Sequence, residues 1–236
     1  MRQLGLPFLH KQSYRARDFL TGPCNEAALA WLHSPGAWPG LRLALYGDRG
    51  SGKTHVLHVF AERMGALLLP GSAVRGLLDL DAARAVAVDD TDAGPDPLAL
   101  LHLLNSAAEM GLPLLLAGRT PPRTWSYTLP DLTSRLRAVT VVGLSHPDDV
   151  VLDALLARLL TERQLAVSAP IQAYIRLHAP RTGDALREVA ARLDRASLAA
   201  GGKVTRALAA SVLADMGCED LATGASWESL EDTLPF

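Results

Sequence analysis

The chain has 236 residues, 49% of them hydrophobic and 20% charged, with a formal net charge of −2 at pH 7. That length holds one large domain or a domain with a smaller lid, and the near-neutral balance gives no global basic field, so any DNA contact is expected to be indirect or weak. Cys24 and Cys218 lie far apart with no CxxC spacing, and apolar runs such as 112–118 fall far short of a membrane span, which excludes a cysteine metal site and points to a cytoplasmic protein with no membrane partner.

In chain order, the first feature is QLGLPF, where Leu4, Leu6, Pro7 and Phe8 follow Gln3 in a place that is ordinarily polar. The stretch is too short for a secretory signal, so it either packs on its own domain or is received by another protein. Near-continuous apolar runs at 41–46, 66–69, 85–88, 112–117 and 139–142 predict strands of a parallel sheet covered on both faces. Helical patterns at 53–64 and 97–111 lie between them, the second with Asp96 as N-cap and Gly111 as its stop. This alternation predicts a doubly wound α/β domain over 14–145. After LSHPDD (144–149) only helices are predicted, over 148–164, 170–178, 184–199 and 205–216, so an all-helical lid is expected over 146–216. The tail 217–236 carries Glu219, Asp220, Glu228, Glu231 and Asp232 with neither Lys nor Arg, and reads as solvated.

GDRGSGKTH (47–55) fits GxxxxGK[ST] and sits directly between an apolar strand and a helical run, the context that a phosphate-binding loop requires. Gly47, Gly50 and Gly52 let the backbone curl, with Asp48, Arg49 and Ser51 between them, so that N–H groups point at phosphate oxygens. Lys53 is expected on the β- and γ-phosphates of ADP or ATP and the Thr54 hydroxyl on Mg²⁺. AVAVDD (85–90) is an apolar strand ending in two carboxylates, where Asp89 would help hold Mg²⁺ and Asp90 stands where such ATPases carry the acid that polarises water. The histidines show no metal spacing, His55 and His58 read as packing or surface residues, and Trp125 and Tyr127 as packing at the domain edge.

YRARDFLTGPCNEAALAWL (14–32) resembles the leading segment of the bacterial replication initiator family DnaA, an aromatic followed by F-x-x-G-x-x-N-x-x-A, matched by Phe19, Gly22, Asn25 and Ala28. The resemblance implies an AAA+ type α/β nucleotide-binding domain with a helical lid, and makes Phe19, Leu20 and Gly22 base contacts. LPDLTSRLRAV (129–139) resembles the family's arginine-finger segment, with Arg135 in the finger position, acting in trans. LDRAS (193–197) resembles Hda, the family's short regulatory branch, which also begins with a QLxLPF-type peptide that binds the DNA polymerase sliding clamp. On that resemblance Gln3, Leu4, Leu6, Pro7 and Phe8 bind the clamp β subunit, and the initiator DnaA is a second partner, with a homodimer a further arrangement. The initiator continues past its lid into a helix-turn-helix domain, for which the acidic 217–236 offers no recognition helix.

Two positions depart from the family pattern. LAGR (116–119) puts Gly118 where the family has a carboxylate that senses the γ-phosphate, and Asp184 stands where the lid has a sensor arginine, with Arg181 and Arg187 on either side. Both changes weaken self-hydrolysis and favour a chain that holds ADP. The resulting expectation is a clamp-tethered adaptor that promotes ATP hydrolysis by DnaA through Arg135. An autonomous AAA+ ATPase, such as a helicase loader or initiator-like protein, is the alternative, and a P-loop small-molecule kinase would leave the lid and SRLR unexplained.

Overall fold

The computed structural model describes residues 19–199 and 203–217. Within them, β1 (Arg42–Tyr46), β2 (Leu67–Pro70), β3 (Val86–Asp89), β4 (Leu114–Gly118) and β5 (Thr140–Gly143) form one parallel sheet in the order β2-β3-β4-β1-β5. Successive residues of a strand point to opposite faces, and here both faces are covered. Leu43, Leu45, Ala87, Leu115 and Ala117 pack on one side with Val56, Leu57 and Phe60 of α2 (Lys53–Met64). Ala44, Val86, Val88, Leu114 and Leu116 pack on the other with Leu100 and Leu104 of α3 (Pro97–Glu109) and Leu132 and Leu136 of α4 (Pro130–Arg137). The apolar runs lack polar alternation for this reason.

The structure forms each expected strand, each starting one or two residues later than expected. Leu41 adopts a left-handed conformation (φ +57°) that closes the preceding turn instead of entering β1. The Leu112 N–H donates to the Ala107 carbonyl (2.8 Å), finishing α3, so β4 starts only after Pro113. Asp96 caps α3 as expected, accepting the Ala99 N–H at 2.9 Å. Periodicity does not mark α1 (Glu26–Leu32), a two-turn helix that buries only Ala28 and Leu32.

The described residues divide into two compact units, with the break between Val151 and Leu152 near the start of α5 (Asp149–Glu162). The second unit is helical, comprising most of α5 with α6 (Ala169–His178), α7 (Gly183–Ala199) and α8 (Arg206–Ala214). Its own core is built from Leu152, Leu156, Ile175, Leu186, Val189, Leu193 and Val212. Thr205 caps α8 by accepting the Leu208 N–H at 3.2 Å. Among the described residues no helix is long and apolar enough to cross a membrane.

One tertiary hydrogen bond ties the segment before α4 to the turn after β3, where the Tyr127 hydroxyl donates to the Thr91 carbonyl. Burial, and then the charge of Asp92, push the Tyr127 phenol from its ordinary 10.0 up to about 12, with Arg75 opposing. A phenol whose folded pKa is raised contributes stability that is whole below pH 10 and is lost as pH climbs towards 12, because the unfolded chain releases its proton first. Tyr127→Phe is expected to cost about 1 kcal/mol near neutrality for the lost hydrogen bond. It should also flatten the fall in unfolding free energy between pH 10 and 12, read from urea titrations across that window.

Candidate functional site

Because all five strands run the same way, their carboxyl ends share one edge, and the chain leaves β1, β3 and β4 side by side there. The loop after β1 curls through left-handed Gly50 (φ +83°) and Gly52 (φ +97°), conformations that a side chain would strain. It delivers the chain into α2, whose amino-terminal end carries the positive end of the helix dipole. Lys53 is buried and donates to the carbonyls of Gly47 (2.6 Å) and Asp48 (2.9 Å) and more weakly to the Ser51 hydroxyl (3.4 Å). Burial pulls its ammonium below the usual lysine range, opposed by the charges of Asp89, Asp92, Asp90 and Asp48, in that order. Arg49 is exposed, and the Asp48 carboxylate lies 3.2 Å from His146 Nε2.

The Thr54 hydroxyl donates to Asp89 Oδ2 at 2.6 Å, joining the loop after β1 to the end of β3. The other oxygen of Asp89 accepts the Asp90 N–H at 2.9 Å, and Asp90 itself is exposed in a left-handed conformation (φ +46°). A hydroxyl and a carboxylate this close form the hard-oxygen donor set that suits Mg²⁺.

The leading segment lies beside α2. The ring of Phe19 meets His55 edge-on, with centroids 5.0 Å apart, so His55 is a buried packing residue. Asn25 shapes the turn that carries Leu20 and Gly22, donating to the Leu20 carbonyl (2.9 Å) and accepting the Gly22 N–H (3.1 Å). Gly22 has no room for a side chain, since a Cβ there would stand 2.4 Å from Val151 Cγ2.

Arg135 is exposed on α4 and lies away from these groups. Arg42, the first residue of β1, is the group that feels its charge: burial lowers the Arg42 pKa most, and Arg135 lowers it further. The loop after β1 begins about 13 Å away, at the far end of the strand. Arg135 therefore belongs to the amino edge of the sheet, opposite the chain's own phosphate loop. In the helical unit, Asp184 Oδ1 accepts from Arg187 Nη1 at 3.1 Å, an exposed ion pair at the start of α7. Gln3, Leu4, Leu6, Pro7 and Phe8 lie outside the described residues, as does the tail from 218 onward.

Two residues of this edge escape sequence reasoning. Trp125 reads as edge packing but is buried in the core, and its indole lies over Gly118, where a Cβ would stand 2.8 Å from Cζ2. The indole N–H donates to the Thr120 carbonyl at 2.7 Å, which fixes the ring there. Asp92 then supplies a carboxylate at the end of β4 from elsewhere, its Oδ2 accepting the Arg119 N–H at 2.8 Å. The available signal is the third acid in DDTD (89–92).

No family model matches the chain. An uncharacterized protein of Haemophilus influenzae is 30% identical over 176 residues, which span 68% of this chain and 76% of that protein. The chain belongs to that protein's family. Among solved structures, domain III of the replication initiation protein DnaA from Thermotoga maritima matches with a TM-score of 0.69 at 18% identity, over 86% of this chain and 96% of that one. A RuvB variant of the same organism matches with a TM-score of 0.66 at 15% identity, over 88% of this chain and 73% of that one. At such identities the likeness is one of fold, and the parallel-sheet α/β architecture expected from the sequence is the fold shared with these structures.

The Gly118–Trp125 contact leads to a test. Gly118→Asp, which restores the carboxylate that the DnaA pattern has there, should drive its Cβ into the indole and destabilise the protein by about 1–3 kcal/mol. Gly118→Asp combined with Trp125→Ala should lose less than the sum of the two single changes, as equilibrium unfolding of all three variants would reveal.

Proposed function

We propose that this protein is an Hda-like negative regulator of replication initiation: an ADP-bound adaptor, tethered to the sliding clamp, that stimulates ATP hydrolysis on DnaA through Arg135. The observation that carries this reading is the separation of Arg135 from the chain's own phosphate loop by the length of β1, with Arg42 as its charged neighbour. An arginine remote from the chain's own phosphate loop supports a role on another molecule's nucleotide. In this reading residues 14–145 are the nucleotide-binding domain, 146–216 the lid, and 1–13 the clamp-binding peptide.

Within the chain's own site, the amides of 47–54 and the Lys53 ammonium bind the β-phosphate, and Phe19, Leu20 and Gly22 border the base. Thr54 and Asp89 would hold Mg²⁺, which when bound neutralises phosphate charge. Asp90 would polarise water in any hydrolysis by this chain. The steric closure of Gly118 and the Asp184–Arg187 pair at the sensor positions support weak turnover. The intact Thr54–Asp89 pair favours a second reading, an autonomous AAA+ ATPase such as a helicase loader or initiator-like protein.

A trans-acting finger neutralises charge developing in the transition state and is worth about 10³–10⁵ in rate. Arg135→Ala should keep ADP affinity within about twofold by calorimetry, since the side chain is remote from the loop, while eliminating stimulation of ATP hydrolysis by DnaA. Full stimulation by the variant would leave Arg135 as a surface residue and remove this reading.

The tether has its own measurement. Burying one Leu or Phe side chain is worth roughly 1.5–3 kcal/mol, so Leu6 and Phe8 as anchors supply roughly 3–6 of the about 8 kcal/mol that micromolar clamp affinity requires, with Pro7 limiting the entropy lost on docking. Replacing Gln3, Leu6 and Phe8 with Ala should abolish clamp capture in a pull-down and leave the melting temperature unchanged. A variant that melts early yet still binds the clamp would assign the peptide to the protein's own core.

A further inference from the structure

The turn after β3 crosses over the end of β4 and is held there at several points. Thr91 is fully buried, its N–H donating to the Ala117 carbonyl (2.7 Å) and its hydroxyl to the Val88 carbonyl (3.0 Å). Tyr127 takes up the Thr91 carbonyl from the other side. The next residue, Asp92, is half-buried and fixed by its bond from the Arg119 N–H at 2.8 Å. Tyr46 pairs with Gly118, so Arg119 is level with Gly47, one strand spacing of about 4.8 Å away. The Gly47 carbonyl is itself the 2.6 Å partner of the Lys53 ammonium. An immobilised carboxylate thus stands above β4, between Asp89 on β3 and the phosphate loop after β1. Consistent with that placement, Asp92 ranks second, after Asp89, among the carboxylates whose charge Lys53 feels.

We propose that Asp92 is a specificity-determining residue of the nucleotide site, its fixed carboxylate disfavouring the terminal phosphate of a nucleoside triphosphate and so selecting the diphosphate. The proposal rests on reading 47–54 as a phosphate cradle. The lysine of such a loop reaches the β- and γ-phosphates, so a charge one strand away from it faces the terminal end of the phosphate chain. The Arg119 N–H holds one oxygen of Asp92 in place and the buried Thr91 holds the backbone beside it. Gly118 offers no polar group to screen it, and Trp125 keeps that position closed. Like charges in a partly buried site repel far more than in water. A diphosphate ends short of the conflict.

The test is calorimetric titration of the full chain with Mg-ADP and with Mg-ATP, in wild type and in Asp92→Asn. Asparagine keeps the shape and an oxygen for the Arg119 N–H while removing the charge. Wild type should prefer ADP, and the variant should gain about tenfold in ATP affinity with ADP affinity held within about twofold. Three results overturn the proposal. The ratio of the two affinities is unchanged; or both fall together with the melting temperature, as for a residue that merely supports the exit of β4; or ATP turnover disappears while both affinities stay fixed, as for a group that orients water. Failure of the underlying reading looks different: wild type binds neither nucleotide, or Lys53→Ala binds both as wild type does.

Discussion

Strands that pair in parallel with both faces covered must all release the chain at the same edge, and the candidate nucleotide site depends on that constraint. No tight turn can join parallel neighbours, so each crossover carries the chain back along the sheet before the next strand begins. The exits of β1, β4 and β3 become neighbours in that order although they lie far apart in sequence. Thr54 and Asp89 are 35 positions apart and meet at 2.6 Å. β4 lies between them, so whatever follows β4 decides what stands in the gap. Here Gly118 contributes nothing, Trp125 covers it, and the turn after β3 reaches across with Asp92.

Features whose parts are contiguous are legible in the sequence. The phosphate loop, the strand before it and the helix after it form one unbroken stretch, and glycines at fixed offsets mark a backbone that only they adopt easily. Strands buried on both faces announce themselves by continuous apolarity, but that same continuity hides their ends. Nothing in the side chains of Leu41 or Leu112 says that the first turns left-handed or that the second completes a helix. The short α1 escapes because two buried residues, Ala28 and Leu32, are too few to set a period. Asp92 and Trp125 escape for a tertiary reason: what matters about them is the strand they cover, and neither belongs to it.

The two edges of the sheet are linked by structure as well as separated by it. The segment from Arg119 to Leu129 runs from the exit of β4 to the start of α4, which carries Arg135. It is pinned to the turn after β3 by the Arg119 N–H on Asp92 and the Tyr127 hydroxyl on Thr91, and to itself by the Trp125 indole on the Thr120 carbonyl. That turn follows directly on Asp89, the last residue of β3 and the partner of Thr54. The start of α4 is therefore positioned by the same few residues that shape the phosphate edge. A displacement of the turn would be passed to α4 most directly through the half-buried hydrogen bond from the Tyr127 hydroxyl to the Thr91 carbonyl.

Charge at the phosphate edge is unusual in its sign. Lys53, with exposed Arg49 nearby in the loop, faces Asp48, Asp89, Asp90 and Asp92. A phosphate chain brought against four carboxylates meets repulsion that positive charge must offset. The loop amides and the end of α2 supply part, a helix terminus being equivalent to about half an elementary charge. In the proposed function a divalent cation on Thr54 and Asp89 would supply the rest, where the two exits meet. Burial lowers the Lys53 pKa, and each carboxylate around it opposes that shift by favouring the charged form. On the proposed reading, cation, lysine and phosphate chain would stabilise one another at this site, and lengthening that chain by one phosphate would add negative charge where Asp92 already stands.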